Sequence, residues 1–132
     1  MGATRTTALN ELNIRGLATV TGATTTVVPS DSGVYFISAA TGTHTFTLPL
    51  VAECAGKMFM FINRVNYGMT VQTATDSTSL DKLVAFNNAG ADKVKFLTTN
   101  ELIGGALQIL GDGSYYYAFN ISAGANTLTA SG

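Results

Sequence analysis

The chain has 132 residues and a formal net charge of −1, and only 11% of its residues are charged, against about 25% in an ordinary soluble domain. This length suits one domain with its own hydrophobic core, and the seven basic residues are too scattered for the positive surface that nucleic acid requires. The single cysteine excludes an intrachain disulfide framework, and no apolar run reaches the roughly 18 residues of a membrane span.

The missing charges are replaced mainly by threonine, serine, asparagine and glycine. Threonine favours strands because its branched Cβ packs well on a pleated surface. A chain with little charge has little self-repulsion, so we expect a free monomer to associate. Two interpretations fit this composition: a soluble β domain that is slightly prone to stick, and a subunit that works only within an assembly.

Residues 1–16 differ from the rest, because their apolar positions fit neither a helix nor a strand, and Gly16 closes the segment. We predict an extended N-terminal arm over 1–16 and a β domain over 17–132. Apolar residues are uncommon in disordered tails, which favours an arm docked on a partner; a frayed terminus is the alternative. The segment has no hydrophobic signal-peptide core, so synthesis in a cytoplasm is expected. The candidate contact residues of the arm are Arg5, Leu9, Leu12, Ile14 and Arg15.

Strands are predicted from Leu17 onward, with a turn cluster over 29–33. Residues 32–50 then form two short strands around a turn. In the second strand, His44, Phe46 and Leu48 fall on one face and threonines on the other, a period of two that buries one face of a sheet. The strand is expected to stop at Pro49, which lacks the N–H that pairing needs.

Residues 57–65 are apolar on both faces, which is typical of a strand at the centre of a sheet or at an interface. Tyr67 lies in a turn that is followed by another strand. This pattern predicts that the following strand forms a hairpin with residues 57–65. Later, a glycine-rich turn over 111–113 separates two apolar strands and predicts a second hairpin. In its second strand we place Tyr115, Tyr117 and Phe119 on the core face, which leaves Tyr116 exposed or at an interface. Tyr67 and Tyr116 are the candidate interface aromatics.

Eight to ten short strands with frequent turns predict an all-β fold, a small antiparallel β-sandwich or barrel of jelly-roll type. No internal repeat of fixed period is evident.

Residues that could carry chemistry are few. His44 lies on the apolar side of its strand, where a buried or interface histidine is the simpler interpretation, and nothing local points to a dyad with Cys54. One histidine and one cysteine do not supply a zinc site, and the dispersed aspartates lack the calcium-loop pattern. We therefore expect no catalytic site, no metal and no cofactor.

The order of the motifs is more specific than any one of them. GVYFIS precedes a turn and THTFTLP, the loop VAECAGK leads into MFMFINRV and MTVQTA, and ALQILGDGSYYYAFNISAG closes the series. This order over residues 32–124 resembles a β domain that recurs in structural proteins of tailed bacteriophages, in capsid decoration (cement) proteins and in virion fibres. The family signature has a tryptophan after the last turn, where this chain has Tyr115, Tyr116 and Tyr117.

The resemblance implies a non-enzymatic virion subunit that is made in the host cytoplasm and sits on the capsid exterior. Decoration proteins of this type bind the outer surface as homotrimers and clamp neighbouring major capsid protein subunits. The partners implied are the major capsid protein and further copies of this chain, with no nucleic acid and no membrane. A fibre or tail-associated domain that binds host-surface carbohydrate is the alternative, and an unrelated β-sandwich, a binding module or a small hydrolase, is a third possibility.

Overall fold

The computed structural model describes residues 18–20, 24–38, 42–76, 78–85, 88–96, 103–121 and 128–131. Two β-sheets account for most of these residues, so the all-β sandwich prediction is confirmed. In the described part of the chain the sheets have open edges and do not close into a barrel. Its helical segments are two single 3₁₀ turns, Pro29–Asp31 and Val51–Glu53. The predicted arm, residues 1–16, lies outside the described residues.

The two sheets differ in size. The seven-stranded sheet has the spatial order β1 (Ala18–Val20), β3 (Gly33–Ile37), β5 (Met58–Asn63), β10 (Ala106–Gly111), β11 (Tyr116–Asn120), β7 (Leu83–Ala85) and β8 (Asn88–Ala91). The five-stranded sheet has the order β12 (Leu128–Ser131), β9 (Lys93–Phe96), β6 (Met69–Gln72), β4 (His44–Thr47) and β2 (Thr24–Thr26).

The first six strands alternate between the sheets, and each pairs in parallel with the strand two places along the chain. Thus β1, β3 and β5 are parallel neighbours in one sheet, and β2, β4 and β6 are parallel neighbours in the other. The antiparallel prediction was therefore wrong for this half of the chain. Parallel strands need a crossover connection, and here a strand of the opposite sheet serves as that crossover.

One of the two predicted hairpins exists. Strands β10 and β11 pair antiparallel around the turn at residues 112–115, as predicted. The hairpin predicted for β5 and β6 was wrong, because the two strands belong to different sheets. Their connection is a loop held by Asn63, whose side chain donates a hydrogen bond to the carbonyl of Tyr67 (2.7 Å) and accepts one from the N–H of Val65 (3.1 Å).

The core lies between the sheets, where aromatic rings from both sides interlock. Phe46 of β4 packs on Phe61 of β5 with 4.6 Å between ring centroids, and Tyr35 of β3 stacks on Phe61 at 5.4 Å. The alternation predicted for β4 is confirmed, since His44, Phe46 and Leu48 are all buried. Burial of these rings together with the aliphatic core residues is the main stabilising contribution, and aromatic pairs of this geometry add to it.

Candidate functional site

The sequence-predicted interface residues do not form one site. The arm residues Arg5, Leu9, Leu12, Ile14 and Arg15 lie outside the described part of the chain. Tyr67, in the loop between β5 and β6, is 40% exposed and thus open to a partner.

Tyr116 is fully buried, which corrects the prediction that it is exposed or at an interface. Its hydroxyl donates a hydrogen bond to the carbonyl of Pro49 (2.8 Å), and burial raises the pKa of that hydroxyl well above its usual range. The hairpin register explains the orientation, because Tyr116 stands opposite Gly111 and Ala118 stands opposite the core residue Ile109. Directly opposed residues share a face of the sheet, so Tyr116 and Ala118 point inward.

The same register turns Tyr117 and Phe119 outward, the reverse of the sequence prediction. Phe119 is 47% exposed, and Tyr117 is half-buried. The sequence could not decide this, because both faces of the strand are apolar or aromatic. Gly111 marks the inward face: a Cβ there would lie 2.3 Å from the main-chain oxygen of Cys54, so this end of β10 approaches the neighbouring loop closely.

The side of the seven-stranded sheet that points away from the core carries three mainly apolar rows across β3, β5, β10, β11 and β7. We call the residues of these rows the outer face. One row is Met58, Leu110, Tyr117 and Val84, the second is Val34, Met60, Gln108 and Phe119, and the third is Phe36, Ile62 and Ala106. Ile121 continues the third row, because its N–H donates a hydrogen bond to the carbonyl of Ala106 (3.1 Å).

The side of the five-stranded sheet that points away from the core is polar. There the rows are Thr24, Thr45, Thr70 and Lys95, and Thr26, Thr47, Gln72 and Lys93. The amide of Gln72 donates a hydrogen bond to the hydroxyl of Thr47 (3.2 Å). The hydroxyl-bearing face predicted for β4 is thus the solvent side of the five-stranded sheet. The contrast identifies the outer face of the larger sheet as the unusual surface.

Among the residues that the structure describes, the charged groups near the outer face lie at its rim. The guanidinium of Arg64 lies 5.8 Å from the centre of the Phe36 ring, at one corner. At the opposite end, the hydroxyl of Tyr117 donates a hydrogen bond to the carboxylate of Asp112 (2.9 Å). This hydrogen bond raises the pKa of the Tyr117 hydroxyl. Within the described ranges, the interior of the face has no charged side chain to favour a nucleic acid or an ionic ligand.

Asp112 organises the turn beside this rim. Its Oδ1 accepts hydrogen bonds from the N–H groups of Tyr115 (2.6 Å) and Ser114 (2.7 Å). These two bonds, together with the Tyr117 hydroxyl, hold the pKa of the Asp112 carboxyl below its usual range. The arrangement is a turn stabilised by an aspartate side chain, and it fixes the start of β11.

A shallow depression of about 380 Å³ lies at the β7–β11 end of the outer face. Its lining residues are Val84, Ala85, Tyr117, Ala118, Phe119 and Asn120. Its aromatic lining suits contact with a small apolar or sugar-like group.

The groups considered for chemistry occupy structural positions. Nε2 of His44, which is buried, lies 3.0 Å from the hydroxyl of Thr25, and its ring packs 4.4 Å from that of Phe46. Cys54 is buried too, and desolvation raises the pKa of its thiol, which disfavours the reactive thiolate. Across the described ranges, no three histidine, cysteine, aspartate or glutamate side chains cluster in a way that could hold a metal ion.

Comparison with known proteins gives no match to this chain among protein-family models or among curated proteins. Among the residues that the structure describes, none forms a helix with the length and apolar character needed to cross a bilayer.

Proposed function

We propose that this chain is a capsid decoration protein of a tailed bacteriophage, a non-enzymatic subunit that binds the outer capsid surface as a trimer and stabilises the shell. The observation that carries the proposal is the outer face, an uncharged sheet surface on which Leu110, Phe119 and Ile121 are exposed while Val34 and Ala106 are buried. It lies on a chain that is otherwise poor in charge. Exposed apolar side chains that are grouped on one sheet face are typical of a contact with another macromolecule. The motif order over residues 32–124 directs the proposal to the virion.

The physical properties of the chain suit such a role. A trimer that engages three equivalent sites gains avidity, so that each contact with the major capsid protein can be weak. The affinity of a contact made of hydroxyl groups and apolar side chains changes little with ionic strength, because salt screens only interactions between charges. The apolar residues of the arm add contact area to a small domain.

Attachment to empty capsids of the virus that encodes the chain tests the proposal. Purified full-length protein is expected to co-sediment with the capsids, and the variant lacking residues 2–16 is expected to stay in the supernatant while its circular dichroism is unchanged. A finer comparison replaces Leu9, Leu12 and Ile14 with aspartate, against a control in which Thr4, Thr7 and Asn10 are replaced with aspartate. Both variants add three negative charges, and only the first is expected to lose attachment. Equal attachment of both, or none by the wild type, would refute the proposal.

A fibre or tail-associated domain that binds host carbohydrate is the second candidate, and the depression beside Phe119 favours it. Exposed aromatic rings stack on sugar rings, and Phe119, which lines the depression, is 47% exposed. Because Tyr116 is buried, the substitution that tests this candidate is Phe119→Ala. Glycan binding that disappears in Phe119→Ala and persists in Ile103→Ala, an exposed position outside the depression, would replace the decoration proposal.

A further inference from the structure

We propose that Asp112 is a site of covalent self-modification, where the main chain isomerises to isoaspartate through a succinimide formed with Gly113, and that the hydrogen bonds of the Asp112 carboxylate restrain this reaction in the folded protein. The inference concerns the turn between β10 and β11, and it does not depend on the proposed function.

The sequence favours this reaction at one of its aspartates. To form a succinimide, the main-chain nitrogen of the following residue must reach the side-chain carboxyl carbon, and a side chain on that residue hinders the approach. Asp112 is followed by glycine, whereas the other four aspartates precede serine or lysine. Since glycine has no Cβ and turns freely about its main-chain bonds, ring closure meets the least hindrance at Asp112.

The turn itself requires this reactive pair. Gly113 has a φ of +91°, a conformation that other residues rarely adopt. A Cβ there would also lie 3.2 Å from Cβ of Ala55. The carboxylate of Asp112 closes the turn by accepting hydrogen bonds from the main-chain N–H groups of Ser114 and Tyr115. The same two residues that make the hairpin are therefore the two that can react with each other.

The reaction needs no reagent other than water. A bond forms between the nitrogen of Gly113 and Cγ of Asp112, and the hydroxyl of the protonated carboxyl leaves as water with the N–H proton. A water molecule then opens the five-membered ring at one of its two carbonyl groups. Opening at the main-chain carbonyl gives isoaspartate, in which the backbone runs through Cγ, and opening at the other carbonyl restores aspartate.

The folded turn opposes ring closure. Oδ1 of Asp112 accepts hydrogen bonds from the N–H groups of Ser114 (2.7 Å) and Tyr115 (2.6 Å), and Oδ2 accepts one from the hydroxyl of Tyr117 (2.9 Å). Ring closure removes one of these two oxygens, so it must break at least one of the bonds. The bonds also lower the pKa of the carboxyl, whereas the attack needs the protonated form. Asp112 is exposed, so it is these bonds that restrain the reaction and not exclusion of water.

Isomerisation is expected to disturb the hairpin from its tip. The N–H of Asp112 donates a hydrogen bond to the carbonyl of Tyr115 (3.1 Å), and Gly111 stands opposite Tyr116 directly beyond the turn. Isoaspartate inserts one further carbon into the backbone between these paired positions. The register that places Tyr116 in the core and Tyr117 on the outer face would then be strained.

Incubation of the purified full chain in water enriched in oxygen-18 tests the inference, because each ring opening places one heavy oxygen on residue 112. Peptide mapping with electron-transfer fragmentation locates the label and distinguishes isoaspartate from aspartate. In the unfolded wild type, kept in denaturant, we expect residue 112 to be labelled faster than any other aspartate. In the folded wild type we expect the rate at residue 112 to be lower by roughly ten-fold or more, because the hydrogen bonds must be broken.

Tyr117→Phe removes the donor to Oδ2 and is expected to raise the rate in the folded protein roughly two- to five-fold. Tyr115→Phe is the matched control, because Tyr115 bonds to Asp112 through its main-chain N–H, which the substitution keeps. Its rate is expected to equal that of the wild type, and circular dichroism checks that both variants fold.

Three results would overturn the inference. One is an absence of label at residue 112 in the unfolded chain, and another is an equal rate in the folded and unfolded wild type. Neither comparison needs a variant, so both remain decisive if a substitution prevents folding. The third is an equal rate in folded Tyr117→Phe and Tyr115→Phe. A failure of the chain to bind capsids would refute the proposed function and leave this inference standing.

Discussion

The hydroxyl of Tyr116 donates a hydrogen bond to the main-chain carbonyl of Pro49 over 2.8 Å, and this bond joins the seven-stranded sheet to the segment that follows β4. Both partners are buried. A buried carbonyl that loses its donor keeps the full cost of its desolvation, so this contact matters more for the fold than an exposed tyrosine contact would.

Tyr116→Phe is therefore expected to lower the free energy of unfolding by about 1–2 kcal/mol, because the carbonyl of Pro49 loses its donor. Chemical denaturation monitored by circular dichroism measures the change. Tyr67→Phe is the matched control: it removes the same atom from an exposed ring and should change stability by less than about 0.5 kcal/mol. Equal effects of the two substitutions would contradict the buried placement of Tyr116.

Gly111→Ala is expected to destabilise the protein by about 3 kcal/mol, at the upper end of overpacking costs. A methyl group there would meet the backbone oxygen of Cys54 at 2.3 Å, and a backbone atom cannot rotate away. Gly90→Ala is the control, since the nearest atom to its added Cβ is Cβ of Asp81 at 3.8 Å, an ordinary contact. Thermal unfolding compares the two variants, and similar melting temperatures would show that β10 lies farther from the loop.

Substitutions at two adjacent residues of β5 are expected to separate the core from the outer face. Phe61→Ala should cost about 3–5 kcal/mol of unfolding free energy, because the ring packs against Phe46 and Tyr35 in the core. Met60→Ala should cost less than about 1.5 kcal/mol, because this half-buried side chain lies on the outer face. Chemical denaturation measures both effects. A large loss of stability in Met60→Ala would place that side chain in the core.

Acid should weaken the contribution of Asp112 to the stability of the folded protein. Its folded-state pKa is lower than the ordinary carboxyl value of about 3.9. Its stabilising effect is therefore complete above that ordinary value and is lost as the pH falls through the lower folded-state pKa. We expect Asp112→Asn to melt at a lower temperature than the wild type at neutral pH, and the difference to shrink as the pH is lowered below the ordinary carboxyl value. A difference that is constant with pH would show that the carboxylate charge is not involved.

Cys54 is expected to react with a thiol reagent only when the protein unfolds, because burial raises the pKa of its thiol and blocks access. Colorimetric titration with and without denaturant measures this. Gln108→Cys supplies a half-exposed comparison on the same chain. Rapid labelling of Cys54 in the native protein would show that the loop after the second 3₁₀ turn opens readily.

Local patterns in the sequence predicted local structure well. The alternation of His44, Phe46 and Leu48 with threonines identified the buried face of β4, because only one of its faces is apolar. The glycine and aspartate of the turn before Tyr115 predicted the β10–β11 hairpin, since their backbone and side-chain preferences act over a few residues.

Such local patterns could not predict which strands pair or which tyrosines of β11 point into the core. Whether β5 pairs with β6 or crosses to the other sheet depends on contacts with β3 and β10, which are distant in the sequence. Tyr116 and Tyr117 are equally able to fill a core, so periodicity could not choose between them. The choice follows from the β10–β11 register, which sets Tyr116 opposite Gly111, at the end of β10 that lies close to the loop around Cys54. The apolar character of β5 on both sides was the one sequence signal of the outer face.

The alternating course of β1–β6 has a consequence for how the chain acquires its structure during synthesis. None of these strands can pair with its immediate successor, and β5 gains its second neighbour only when β10 has been made. Closing such distant segments costs entropy before any contact is gained, so folding is expected to be slow compared with a meander of hairpins of similar length. A newly translated chain would thus remain unfinished until its last third leaves the ribosome, with the edge of β5 that pairs with β10 left unpaired in the meantime.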